Sequence, residues 1–304
     1  MMEVLRAGLQ DLIMDSGRPG FRYQGVPEGG AADAAALILA NRLVGNPDHA
    51  ACLELLLHGP TLRFPRGGRV ALAGANMQVR INGTEAPRGR ALEIPPGSEL
   101  EVGQAATGLR AYLAVSGGVE VPLLLGSRST FLPGGFGGWQ GRALRAGDLL
   151  PLGAAGAPRK GLLSAADRGG ALRILPGPQL AGFADAALKT LARSEFSVSP
   201  DASRLGLRLI GASLEYAGGE LASQAVLPGA VQVPPDGQPI ILGWDGPVTG
   251  GYPVIAGIIA ADMPRLAQLR PGDKLSFRFV TPEEAQAAWN EQQKFLNEAI
   301  LWEG

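Results

Sequence analysis

The side chains able to do chemistry in this 304-residue chain stand on glycine-flanked segments. Asp15 and Arg18 lie in Asp15-Ser16-Gly17-Arg18-Pro19-Gly20, Asp33 follows Gly29-Gly30-Ala31-Ala32, and Ser127-Arg128-Ser129-Thr130 follows Gly126. Arg204 and Arg208 flank Gly206. Further on, Gln232, Asp245, Thr249 and Tyr252 interleave with Gly243, Gly246, Gly250 and Gly251. Arginine takes carboxylate or phosphate oxygens in bidentate fashion, and Asp or Tyr can handle a proton. Each residue also has a structural reading. Asp33 caps a helix, Arg204 and Arg208 pair with surface acids, and Ser127 to Thr130 is a polar turn. On residue chemistry alone, the chain is a β-rich protein with an anion-friendly cleft.

Residues 229 to 254 hold the densest group. Val231 and Val233 alternate with Gln232, which suits a strand whose polar side chain faces a cleft or solvent. Pro234-Pro235-Asp236-Gly237 is a turn, since Pro presets φ and Gly accepts positive φ. Ile240-Ile241-Leu242 returns as the second strand of a hairpin. The glycines beyond it serve either a barrel corner or a site needing close backbone approach.

The elements that must position these residues are mostly strands. Apolar runs alternate with Gly-Pro, Gly-Gly, Asn82-Gly83 and Pro96-Gly97 breaks, the last but one a type I′ hairpin signal. Residues 3 to 14 read as a strand pair, and 111 to 115 as a core strand. Asp33 caps a helix from Ala34 to Val44, closed by Gly45. Phe183 to Leu191 is a second helix, and Asp262 caps a short third one. Thr281-Pro282-Glu283-Glu284 is a capping box that opens a C-terminal helix to about Leu301. Ala285, Trp289, Leu296, Ala299 and Ile300 are its packing face. A weak repeat (94 to 102, 144 to 152 and 269 to 277) has the form of a turn entering a strand. Residues 154 to 170, rich in Gly, Ala and basic side chains, read as a linker or exposed loop.

Composition narrows the function classes. The 46% apolar and 18% charged content fits a globular protein, and a net charge of −1 gives no reason to expect nucleic acid or a membrane surface. No apolar stretch approaches the roughly 20 residues of a membrane span, and no secretory signal opens the chain, so a cytoplasmic location is expected. Cys52, the single cysteine, sits in an apolar run and reads as an inert buried thiol. There is no phosphate-binding lysine loop, no metal-spaced Cys/His cluster and no Ala-Met-Lys-Met biotin attachment run. His49 reads as a surface residue.

Taken in order, several motifs resemble the family of the 5-oxoprolinase C subunit (KipA-like), which shares its domain with allophanate hydrolase subunit 2 and the urea carboxylase carboxyltransferase region. They are Asp15-x-Gly17-Arg18-Pro19-Gly20, Ala40-Asn41-Arg42-Leu43-Val44-Gly45-Asn46, Leu53-Glu54, Arg110-Ala111-Tyr112-Leu113-Ala114-Val115-Ser116-Gly117-Gly118 and Gly126-Ser127-Arg128-Ser129-Thr130. The second half adds Gly177-Pro178-Gln179, Arg204-x-Gly206-x-Arg208, Gln232-Val233-Pro234-Pro235-Asp236-Gly237 and Thr249-Gly250-Gly251-Tyr252-Pro253. The resemblance implies a mostly β fold of two cyclophilin-like β-barrel domains, 1–165 and 166–304, with a few short helices and the C-terminal helix. It implies work with two 5-oxoprolinase partners, a KipI-like B subunit and the A subunit. Together they open 5-oxo-L-proline to L-glutamate with ATP, whose site is not located in this chain. It assigns Arg18, Arg128, Arg204 and Arg208 to holding anionic oxygens, and Asp33, Asp245 and Tyr252 to acid–base work. Gln232 and Thr249 would line the cleft with Tyr252. Four polar family positions differ in or beside these loops, including Gln224 where the family carries Asp, and Gly246-Pro247-Val248 beside Asp245. The resemblance also carries two other readings: a regulatory protein antagonising a histidine-kinase inhibitor, and a biotin-dependent carboxyltransferase-like protein.

Overall fold

The computed structural model describes residues 1–157, 161–163 and 169–302. The chain is mostly β, with two large curled, barrel-like sheets and four α-helices among the described residues. By contact it divides into two compact units, each discontinuous in sequence. The first comprises Met1–Arg18, Gly29–Ala166 and Lys294–Gly304, and the second Pro19–Glu28 and Asp167–Gln293. The linker expected at 154–170 includes residues 158–160 and 164–168, which lie outside the described residues.

The first unit is built on the strand Ser98–Val115, which pairs antiparallel with Cys52–Leu56, Thr61–Phe64 and Gly68–Ile81. Its first half alternates buried and open positions, whereas 109–115 are buried throughout. The difference follows from the helix Ala34–Val44, which packs on Gly68–Ile81 and Ser98–Val115 and covers the sheet face that would otherwise be wet. Small side chains permit that close approach. Ala36, Ala40, Ala71, Ala73 and Ala114 share one apolar cluster, and a Cβ on Gly74 would stand 2.6 Å from the Arg110 carbonyl oxygen. The helix ends are as the sequence predicts. Asp33 Oδ1 accepts from Ala36 N at 2.9 Å, and Gly45 closes the helix with φ of 79°. Asn82 and Gly83 both take positive φ between paired Ile81 and Thr84, the primed turn that a right-twisted hairpin needs.

The second unit has an eight-stranded sheet, in the order 274–275, 196–198, 206–210, 240–242, 230–232, 254–258, 172–176, 277–279. Only its last pair, Leu172–Pro176 with Phe277–Phe279, is parallel. The 229–254 hairpin forms in the expected register, with Val231 opposite Ile241 and Gly237 in the left-handed region. The three-copy turn also recurs. Gly97, Gly147 and Gly272 all have positive φ, and in two copies the following Asp accepts from the amide three residues back (Arg145 N to Asp148, Arg270 N to Asp273, both 2.8 Å).

Some local readings need correction. Asp262 makes no cap hydrogen bond; its fully buried carboxylate takes the backbone N–H and guanidinium of Arg173 and lies 3.3 Å from Arg265. Burial opposes that charge, but the Arg173 bonds outweigh it and hold the carboxyl below its ordinary value. The second helix is Asp185–Arg193, preceded by a 3-10 turn at Leu180–Gly182. The C-terminal helix runs Pro282–Glu298 with the reciprocal Thr281–Glu284 capping box, and gives way to a strand, Ile300–Trp302. On it Ala288 is buried beside Ile259 and Ala261, while Trp289 is 40% exposed and does not pack as expected.

Asp11 gives the first unit a pH response. It is buried, with one hydrogen bond, from Gly8 N to Oδ2 at 2.6 Å, and burial pushes its carboxyl from the ordinary 3.8 to about 6. The Gly8 amide and the charge of Arg6 oppose that rise without cancelling it. Between these values the folded state keeps a proton the unfolded chain has lost, so the stabilisation is full below about 4 and gone above about 6. Asp11→Asn removes this slope. Denaturant titrations from pH 4 to 7 are expected to show the variant gaining on the parent by up to about 3 kcal/mol. A difference constant across that range would refute the assignment.

Candidate functional site

Carboxylates organise the glycine-flanked loops. In the first unit, Asp15 Oδ1 accepts from Gly17 N at 2.8 Å and from the hydroxyls of Ser127 and Ser129 at 2.6 Å each. Its Oδ2 accepts from Arg128 N at 2.6 Å. The Ser127 to Thr130 segment is therefore a binder of Asp15 rather than a plain turn. Arg18 is fully buried, donates to the Ser129 carbonyl and lies 5.1 Å over the Phe136 ring. Arg128 points elsewhere: Nε donates to Val121 O and Nη2 to Glu120 at 2.8 Å, with the side chain 27% exposed.

Asp33 is fully buried, and besides its capping bond its N–H donates to Tyr112 Oη at 2.8 Å. That phenol donates to Glu54 Oε2 at 2.5 Å, which also accepts from Ala32 N, while Arg110 lies 3.6 Å from Glu54 Oε1. Burial first, then the charges of Glu54 and Asp33, push the Tyr112 phenol well above its ordinary value. Burial also raises the Cys52 thiol, with Glu54 and Asp15 adding to it, so this thiol is inert. Reading residue types alone missed Glu54 and Tyr112 as partners. The signal was a lone carboxylate in the apolar run 51–57, opposite a tyrosine in another core strand.

In the second unit Arg204 and Asp245 bind one another. Nε donates to Oδ2 at 2.7 Å and Nη2 to Oδ1 at 3.0 Å, both side chains being buried. Asp245 N donates to the Arg204 carbonyl at 3.0 Å, and Gly243 lies so close to that carbonyl that a Cβ there would overlap it. Arg208 pairs with Asp236 at the surface. Gln232 is buried rather than facing solvent, and donates to Tyr252 O at 3.4 Å.

The accessible chemistry gathers at 249–253. Thr249 and Gly250 pair with Ala225 and Gln224, and Thr249 is exposed. Behind this ribbon Gln179 Nε2 donates to Gln224 Oε1 at 3.1 Å, and Gln179 Oε1 accepts from Val254 N at 2.9 Å. Gln224 Nε2 is buried with no hydrogen-bond partner. In front, Tyr252 is 45% exposed on a cleft of about 640 Å³ lined also by Glu215, Tyr216, Glu220, Pro234 and Pro253. Two phenols and two carboxylates suit a small polar molecule that is hydrogen-bonded and passes a proton. None of the four predicted arginines lines this cleft. Gln179, quoted in a motif without a role, and Gln224, noted as a departure from the family pattern, are the residues that the structure adds. Among the described residues, no three His, Cys, Asp or Glu side chains are placed to hold a metal, and no helix is long and apolar enough to cross a membrane.

Comparison with known proteins places this geometry. Residues 24–279 match the family model described as carboxyltransferase domain, subdomain A and B. The chain is 40% identical over 307 residues to the 5-oxoprolinase C subunit of Escherichia coli, covering 99% of this chain and 98% of that one. It is 33% identical to the 5-oxoprolinase C subunit of Haemophilus influenzae, covering 98% and 97%. The crystal structure of the K. lactis urea amidolyase superposes with a TM-score of 0.91 at 29% identity, covering 99% of this chain and 20% of that much longer one.

The geometry separates two kinds of residue experimentally. Asp245→Ala takes from the buried Arg204 guanidinium the carboxylate that binds it through two hydrogen bonds, and is expected to lower unfolding free energy by about 3–5 kcal/mol. Tyr252→Phe removes an exposed hydroxyl and is expected to stay within about 0.5 kcal/mol of the parent. Equilibrium denaturation of both reads the contrast, and equal stability of the two variants would remove Asp245 from its clamping role.

Proposed function

This chain belongs to the carboxyltransferase subdomain A and B family, with the 5-oxoprolinase C subunit among its relatives, and from that we propose that it is the C subunit of an ATP-dependent 5-oxoprolinase. The observation carrying this reading is the end-to-end correspondence with the E. coli protein, against one fifth of the urea amidolyase structure. The complex would be cytoplasmic and would join this chain to a KipI-like B subunit and the A subunit. It would open 5-oxo-L-proline to L-glutamate. A lactam is resonance-stabilised, so phosphoryl transfer from ATP to the amide oxygen activates the ring carbon toward water. The C–N bond then breaks with the nitrogen leaving as the amine, and a second water hydrolyses the acyl phosphate to glutamate and phosphate.

In this proposal Tyr252 orients and protonates the substrate, with Gln224, Gln232 and Thr249 shaping the 249–253 ribbon. Arg128 in the first unit and Arg208 in the second, whose ion pairs with Glu120 and Asp236 lie at the surface and exchange cheaply, are each able to hold an anion within their own unit. Arg18, Arg204, Asp33 and Asp245, buried in the clamps, act as positioning residues. A second reading, carboxyl transfer supported by a separate biotin carrier, draws on the family description and the urea amidolyase likeness.

Reconstitution tests both. Mixing the three proteins is expected to give ATP hydrolysis that depends on 5-oxoproline and yields glutamate, and to lose it when this chain is left out. Tyr252→Phe is expected to lower turnover on the order of 10²-fold. Gln224→Ala is expected to raise KM with a smaller effect on kcat. No gain over the mixture lacking this chain would overturn the proposal. Bicarbonate-dependent turnover with a biotin carrier would favour the second reading.

A further inference from the structure

The first unit holds a cleft that the proposed reaction leaves unused. It measures about 390 Å³, within the range of small-molecule sites, and Leu72, Leu92, Leu162 and Leu163 contribute apolar walls. Two features make it more than a gap between side chains. The first is Asn76, which lies where the ladder between Gly68–Ile81 and Ser98–Val115 slips on both sides of it. The irregularity leaves Asn76 Oδ1 buried with no hydrogen-bond donor. A buried acceptor without a partner loses about 1–3 kcal/mol, which a ligand N–H restores.

The second feature is Arg88-Gly89-Arg90 at the mouth. Leu163 N donates to Gly89 O at 2.7 Å, fixing this turn against the strand Gly161–Leu163. Gly89 has φ of 72°, in the left-handed region, and an arginine stands on either side of it in sequence. Both arginines are exposed, line the cleft, and have no acidic partner among the described residues. In contrast, Arg42, Arg63, Arg69, Arg128, Arg142 and Arg173 all have carboxylate partners. Two uncommitted guanidiniums ask for an anion, the orphaned oxygen for an N–H, and the walls between them for a short hydrocarbon frame.

We infer that this cleft is a second small-molecule site, which binds a carboxylic acid carrying an amide N–H on an apolar skeleton. The carboxylate sits at Arg88 and Arg90, the N–H donates to Asn76 Oδ1, and the skeleton lies along Leu72, Leu162 and Leu163. The site is independent of turnover and of the Tyr252 cleft, so its test needs neither partner proteins nor ATP.

Titration calorimetry on the full chain uses N-acetyl-L-leucine and 5-oxo-L-proline as probes. N-acetyl-L-leucinamide, which lacks the carboxylate, and 4-methylpentanoate, which lacks the amide, are the controls. At least one probe is expected to bind saturably, with the leucinamide roughly tenfold or more weaker than N-acetyl-L-leucine. Arg88→Ala with Arg90→Ala, both at exposed positions, is expected to weaken the binding probe roughly tenfold or more. Asn76→Ala is expected to weaken N-acetyl-L-leucine while leaving 4-methylpentanoate unchanged. Two results would overturn the inference: neither probe binding, or binding untouched by the double arginine variant. Binding lost in Tyr252→Phe instead would assign the ligand to the other cleft and also overturn it. If Asn76→Ala does not fold, the arginine variant decides alone.

Discussion

A carboxylate removed from water must be given donors, and much of this molecule's loop structure answers that requirement. Asp15, Asp33, Glu54, Asp245 and Asp262 are all buried or nearly so. Asp15, Glu54, Asp245 and Asp262 are met by backbone N–H groups, hydroxyls or a guanidinium drawn from a segment far away in the chain, and Asp33 by the Ala36 amide of the helix it caps. Leaving such a charge unmatched would remove several kcal/mol from a fold whose net stability is of the order of 10 kcal/mol. The loops are therefore not free to move over these groups. Apart from Asp33, each acid fixes two pieces of chain at once, and beside Asp15 and Asp245 glycines let backbone come close enough to reach it.

This constraint explains where residue chemistry misled. An aspartate flanked by glycines and followed by arginine looks alike whether it serves a substrate or a loop, because both uses need close approach and directed donors. Asp15 and Asp245 have the composition of a site and the surroundings of a clamp. Arg204 and Asp245, assigned separate duties from the sequence, lie 41 residues apart and neutralise one another. Only the fold brings them together, so the pairing could not be read from spacing.

Local signals fared better, since their physics is contained within a few residues. The Asp33 cap, the Asn82-Gly83 turn, the Thr281–Glu284 box and the 229–254 hairpin all depend on neighbours in sequence, and all are found. The mostly β, barrel-like architecture was legible from alternation and turn residues, and the family from the order of its motifs. The glutamine pair of Gln179 and Gln224 was not legible as a pair, because neutral amides carry no pattern until two strands place them together. Trp289 and Ala288 show the same limit on a helix: periodicity marks a face to within about one residue, about 100° of rotation, and packing chooses between neighbours.

The C-terminal helix also bears on how the molecule is made. Leu296, Ala299 and Ile300 belong to the same apolar cluster as Leu12, Leu37 and Tyr112, and Ile300 opens the strand that pairs with Gly161–Leu163. The first unit thus draws part of its core from residues that the ribosome adds only after Asp167–Gln293, the bulk of the second unit. While that intervening stretch is being translated, helix Ala34–Val44 and its sheet have no permanent cover on that side. The earlier-emerging unit has to wait for the later one before it can close, and its exposed apolar surface until then is a natural client for a chaperone.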